Sequence, residues 1–461
     1  MRRFLFSSLI VGACLGIGPG CASRAGRSLA LYEAGDYAGA ARAADDGLEK
    51  HPGDDDLWRM RIRAALALGD AAGVATSYAS HQAQREGDDR ELLRELAIAT
   101  VRQALASPSA RLQILAIQAI EAAELHAYAD EVADRMGDDN DRVAAAAAVA
   151  VLRGYPHAPQ VAGDMLRSED PEARRIAVEG IGKKVGELAA ADLQRAATDL
   201  DPRVRGAAIR WLGQLKIEEA APVLLRRMRD PDPGVRAAAA TALARIGTGD
   251  LAALGTQALN DRALAVRLAG IELLAAAGQT QQLTTVAERD PDPLVAAEAA
   301  IAARRPELAI GALDRAATDP RPAIRAGAAN LALRAAGKER ALPLVQRLAQ
   351  DPEPSVKLAA ARALASAGDR DRALAIFADA LGTPELRLQA ATDLARLDDP
   401  RGLEALSAAL RDTSTSTEAR SAAVAAHLTA RKVTPGLVAA LADPSGIIRA
   451  EAAGALLALA G

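Results

Sequence analysis

One short pattern of residues recurs along most of this chain, and it fixes what the chain can fold into. Its clearest copy runs Asp230-Pro-Asp-Pro-Gly-Val-Arg-Ala-Ala-Ala-Ala-Thr-Ala-Leu-Ala-Arg-Ile-Gly247. Asp232 suits a helix N-cap and Pro233 its first turn. Val235, Ala239, Leu243 and Ile246 then fall on one helical stripe, and Gly247 is a natural stop. The arginines of successive copies, Arg174, Arg205, Arg236 and Arg267, stand 31 residues apart. A unit of that length holds two helices of three to four turns with their connections. Such units cannot bury their apolar flank alone, so they stack.

Composition agrees with close stacking. Hydrophobic residues make up 50 % of the 461, aromatic residues only 2 %, and alanine fills the difference. Small side chains let helices approach closely, and a stack of this kind grows by addition rather than around one globular core. The formal net charge of −4 argues against a general nucleic-acid binder, which needs a basic stripe.

The pairs Val204-Arg205, Val235-Arg236, Val266-Arg267, Ile324-Arg325, Val356-Lys357 and Ile448-Arg449 mark six copies. In each copy an Asp-Pro-type turn precedes a second helix with Val-Arg and small residues. This resembles the HEAT-like repeats, in the short form named for the phycobilin lyases. The resemblance implies an all-α fold, a right-handed α-solenoid of stacked antiparallel helix pairs. It also implies a ladder between repeats, from an aspartate six residues before each cation: Asp199 and Arg205, Asp230 and Arg236, Asp261 and Arg267, Asp319 and Arg325, Asp351 and Lys357, Asp443 and Arg449. The carboxylate sits near a helix start, where it accepts backbone N–H bonds, and the next arginine can fork onto it. The stripe is expected to stabilise the stack and the ladder to set register. Asp290 faces Ala296, so that rung is expected to lack its cation. Thr413–Thr417 replaces an Asp-Pro turn and reads as a loop.

Upstream, Leu31-Tyr-Glu-Ala-Gly-Asp-Tyr-Ala-Gly-Ala40 resembles the turn and second helix of a tetratricopeptide repeat. Gly35 and Gly69 stand 34 apart, that family's period. The first residues, Met1-Arg-Arg followed by an apolar run to Ile17, read as a signal peptide. Gly18-Pro-Gly-Cys-Ala-Ser23 resembles a bacterial lipoprotein start, which implies lipidation of Cys21, with Cys14 as the alternative. The organisation expected is a signal peptide over 1–21, tetratricopeptide-like hairpins over 22–88 and a HEAT-like array of about 11–12 repeats over 89–461. Neither cysteine can staple the mature fold.

Residues for chemistry are scarce. His51, His81, His126, His157 and His427 are scattered, and none precedes a glutamate, as the HEAT-type deoxyhypusine hydroxylases require. No zinc spacing exists. Gly180-Ile-Gly-Lys-Lys184 lacks the full spacing of a phosphate loop and sits at a helix end. Phe377 is the sole phenylalanine after the signal, little to stack a tetrapyrrole on. We expect no catalytic residue, metal or cofactor. The expected function is a non-catalytic protein-binding scaffold, lipid-anchored on the periplasmic side of a bacterial envelope, at the outer membrane rather than the inner. The alternative is an enzyme-maturation or bilin-lyase-like chaperone factor. Arg210, Gln214, Arg245 and Arg362 are the candidate partner-binding positions on the inner face. No nucleic acid is expected. The last helix, Ile447 to Leu459, is apolar on two sides at an array end. It reads as one more core helix with a leaky edge, the alternative being a docking or self-association face through Leu457 and its neighbours.

Overall fold

Each second helix begins and ends where its sequence dictates. In the computed structural model, which describes residues 24–461, Asp232 caps the helix Pro233–Ile246 by accepting the Val235 N–H at 2.9 Å. Gly247 closes it with a left-handed φ of 81°, a conformation that costs glycine little. Val235, Ala239 and Leu243 are buried, while Ile246 is half-buried at the rim of the stripe. Asp201, Asp170 and Asp292 cap the helices Pro202–Gln214, Pro171–Lys184 and Pro293–Ala302 in the same way, each with proline at the start. The signal-peptide reading, with Cys14 and Cys21, lies outside the described residues.

All described elements are helical. They group into two compact units. One unit is Ala129–Leu386, a stack of helix pairs. Within it, Pro171–Lys184, Pro202–Gln214, Pro233–Ile246, Leu264–Ala276 and Pro293–Ala302 pack each on the next, with shorter first helices between them. Alanine and glycine set how near they come. A Cβ added to Gly213 would stand 2.7 Å from Ala242 of the neighbouring second helix, so the two backbones touch where only glycine fits. The long helix Pro322–Leu348 is two helices run together: Gly337, at φ 73° and ψ 175°, breaks it between one repeat and the next.

The other unit joins residues up to Tyr128 to Arg387–Gly461. It opens with two hairpins, Gly26–Glu33 with Tyr37–Leu48 and Asp55–Ala67 with Ala71–Gln82. Gly35 and Gly69 turn them at φ 80° and 70°, and Asp36 and Asp70 cap the second helix of each. The helices Arg90–Leu105 and Ala110–Ala122 follow. The last helix, Gly446–Ala460, packs broadly on this pair, and Pro435–Ala439 packs on Ala71–Gln82. The last helix is thus a core helix. Its second apolar flank is covered by chain from the amino-terminal side. Leu457 is 2 % exposed and Leu456 fully buried. Ile447 and Leu459 stay half-buried at its rim. Among the described residues no helix is long and apolar enough to cross a membrane.

Candidate functional site

The ladder is present, and its geometry is more specific than the sequence indicates. Each aspartate lies two residues before the N-cap position and accepts the N–H of the residue two further on. Asp199 bonds the Asp201 N–H at 2.8 Å and Asp230 the Asp232 N–H at 3.0 Å. The cation six residues later does not reach back to that carboxylate. Its Nη1 donates to the carbonyls of the same turn, as Arg205 does to Asp199 and Leu200 at 2.8 and 2.9 Å. Nη2 crosses to the aspartate of the following repeat, joined by Nε in Arg174, Arg236 and Arg325. Arg174 meets Asp199, Arg205 meets Asp230, Arg236 meets Asp261 and Arg325 meets Asp351, all at 2.7–2.9 Å. Arg420 meets Asp443 likewise.

Irregular rungs follow from local sequence. Arg267 reaches Asp292, the N-cap residue, rather than Asp290. The gap at Ala296 is felt one repeat later than expected: Asp319 receives no arginine from the repeat before it and pairs with its neighbour Arg321 at 2.9 Å. Lys357 makes no ion pair among the described residues, although its charge helps hold Asp351 low.

Burial separates the rungs. Asp230 and Arg205 are 0 % and 8 % exposed at their side chains, and Arg227 joins them at 3.0 Å. Burial works against the Asp230 charge, but bonds from Arg205, the Asp232 N–H and Arg227 keep its carboxyl below the usual carboxylate range. At Asp261 and Asp351 the arginine bond is the main cause of the same lowering.

The candidate partner-binding positions are all exposed on second helices. They do not form one cluster. Arg210 pairs with Glu179 of the preceding repeat at 3.1 Å, and Glu179 also accepts the Trp211 indole N–H at 2.6 Å. Gln214 follows one turn later on that helix, Arg245 lies on the next second helix, and Arg362 is on Pro354–Ala367.

Two buried polar networks escaped the sequence reading. In the first, Asp89 caps Arg90–Leu105, forks onto Arg59 at 2.8 and 3.0 Å and accepts the His81 Nε2–H at 3.0 Å. Burial opposes the Asp89 charge, yet these bonds hold its carboxyl well below the usual range. In the second, His427 donates Nδ1–H to the Ala423 carbonyl and accepts from the Thr434 hydroxyl, both at 2.8 Å. Burial lowers its basicity, partly offset by the Ala423 bond, so the imidazole is held neutral. The helix-capping position of Asp89 was a usable signal for the first. Nothing in the sequence pointed to the second. Among the described residues no group of three or more His, Cys, Asp or Glu is arranged to hold a metal.

A family model described as HEAT repeats matches residues 160–233, 222–304 and 311–386. No curated protein matches the chain. Similar solved structures include an engineered protein at 19 % identity, covering 79 % of this chain and 99 % of that one with a TM-score of 0.28. The complex of CpcE and CpcF of phycocyanin lyase from Nostoc is 25 % identical, over 60 % of this chain and 89 % of that one, at 0.24. The myosin chaperone UNC-45 from C. elegans is 13 % identical, over 93 % and 70 %, at 0.32. At these TM-scores the likeness adds nothing to the fold as read from the chain's own helices. Residues 160–304 and 311–386 are thus HEAT-like repeats.

Proposed function

We propose that this protein is a non-catalytic protein-binding scaffold, tethered to a bacterial envelope through a lipidated Cys21. One observation carries the scaffold reading. The buried frame repeats, while the exposed residues on it change. Six positions after the buried anchors Val204, Val266, Ile324 and Val356 stand Arg210, Glu272, Asn330 and Arg362, all exposed. A frame that holds register while its surface chemistry varies from repeat to repeat suits an extended partner better than a small substrate. Affinity purification from cells tests this. A defined partner set is expected with the whole chain and is lost when residues 160–386 are removed. An identical set from both, or none above a tagged control, contradicts it.

The tether rests on the residues around Cys21 and on their likeness to a lipoprotein start. Anchoring raises the local concentration of whatever the array holds. Partition of the whole protein into a detergent phase, lost in Cys21→Ser and kept in Cys14→Ser, is the expected result. Loss only in Cys14→Ser moves the anchor to that residue, and aqueous partition of the native protein ends the proposal.

A further inference from the structure

Five ladder arginines, Arg174, Arg205, Arg236, Arg267 and Arg325, each do two things at once. Each places Nη1 on the carbonyls of its own turn and Nη2 on a carboxylate of the following repeat, and Arg174, Arg236 and Arg325 add Nε to make a two-bond fork. Arg449 keeps only the first half. Its Nη1 donates to the Asp443 and Pro444 carbonyls at 2.7 and 3.2 Å. Among the described residues no carboxylate meets its Nε or Nη2. A cavity of about 100 Å³ lies beside it instead, lined by Arg449, Thr100, Gln103, Ser107 and Leu112. All of these belong to the same compact unit.

The lining offers hydrogen-bond donors and no negative charge. Thr100 commits its hydroxyl proton to the Leu96 carbonyl at 3.0 Å. Ser107 accepts the Ser109 N–H at 3.2 Å, which leaves its own O–H to donate. The exposed Gln103 amide has no partner among the described residues. No acidic side chain lines the space. An uncommitted guanidinium edge, an amide N–H and a hydroxyl therefore converge on room for about three waters, at ~30 Å³ each.

We propose that this cavity is a carboxylate-binding site, in which Arg449 forks Nε and Nη2 onto one carboxylate as Arg174, Arg236 and Arg325 do onto aspartates, with Gln103 and Ser107 as neutral donors. The planar guanidinium selects a planar two-oxygen acceptor. The carboxylate comes from a small free acid or from an acidic side chain of another polypeptide. The site stands whether or not the array holds a protein partner.

The test follows the Arg449 Nε–H resonance in the whole protein, assigned with Arg449→Lys. Sodium acetate is titrated against sodium chloride at constant ionic strength, and then a blocked Ala-Asp-Ala peptide against Ala-Asn-Ala. A saturable shift with a carboxylate and none with chloride or Ala-Asn-Ala is expected. Binding weakens about fivefold or more in Gln103→Ala with Ser107→Ala, neither of which lies in the apolar core. Acetate and peptide acting at equal concentration point to a free acid, and tighter peptide binding points to a side chain. Both support the site. No saturable shift with either, or a shift that chloride or inorganic phosphate reproduces at the same concentration, overturns it.

Discussion

Asp230 and Asp319 occupy the same position in their repeats and are not equivalent physically. Asp230 is enclosed with Arg205 and Arg227, whereas Asp319 holds only its exposed neighbour Arg321. Removing one member of a buried pair leaves an uncompensated charge. Asp230→Ala should therefore lower stability by about 3 kcal/mol in chemical denaturation, while Asp319→Ala should leave the midpoint nearly unchanged. Equal effects would mean that burial does not grade the ladder. His427 supplies a pH signature. Its folded basicity is depressed by burial, so the unfolded chain binds its proton more readily. The stability it contributes is fully present above the ordinary histidine range, near pH 6.5. It is lost as pH falls below that value. Denaturation midpoints between pH 7.5 and 5 should drop in the native protein, and the drop should shrink in His427→Gln. An unchanged slope in the variant would contradict the assignment. At this scale the ladder residues were legible because Asp and Arg recur at a fixed offset. Their partners were not, because a cross-repeat bond depends on connection length: the short repeat before Asp290 moves Arg267 onto Asp292.

Helix starts and stops read cleanly from the chain, since caps, prolines and glycines act within a few residues. Pro233, Gly247 and Gly337 each sit where the backbone changes course. The packing of the last helix did not read cleanly. Ile447 and Leu457 announced a second apolar flank, but not what covers it. Its cover, Arg90–Leu105 and Ala110–Ala122, lies more than 300 residues away in sequence, and no local pattern encodes so distant a pairing. The buried state of Leu457 makes a definite prediction. Leu457→Ala should cost about 3 kcal/mol, the usual range for a buried leucine, and should leave the mass in solution as it was. A change of mass at unchanged stability would return the helix to a role in assembly.

At the scale of the whole molecule, the two units differ in how they are built. Ala129–Leu386 needs only neighbouring repeats, so its contacts are local along the chain. The other unit needs both ends of the chain to meet. Neither offers a metal cluster among its described residues, and the repeated frame carries exposed side chains that differ from copy to copy. Fold was readable from sequence because stacking follows from periodicity. The partner was not, because it is recognised by exposed residues that the frame does not constrain.

The scaffold account is tested most directly by placing a photo-crosslinking amino acid at Arg210, Arg245 and Arg362 on second helices, and at Arg195 and Arg226 on first helices, in living cells. The account predicts discrete adducts to another protein from the second-helix positions and none from the first-helix positions. Adducts at no position, or the same adducts from both sets, would contradict it.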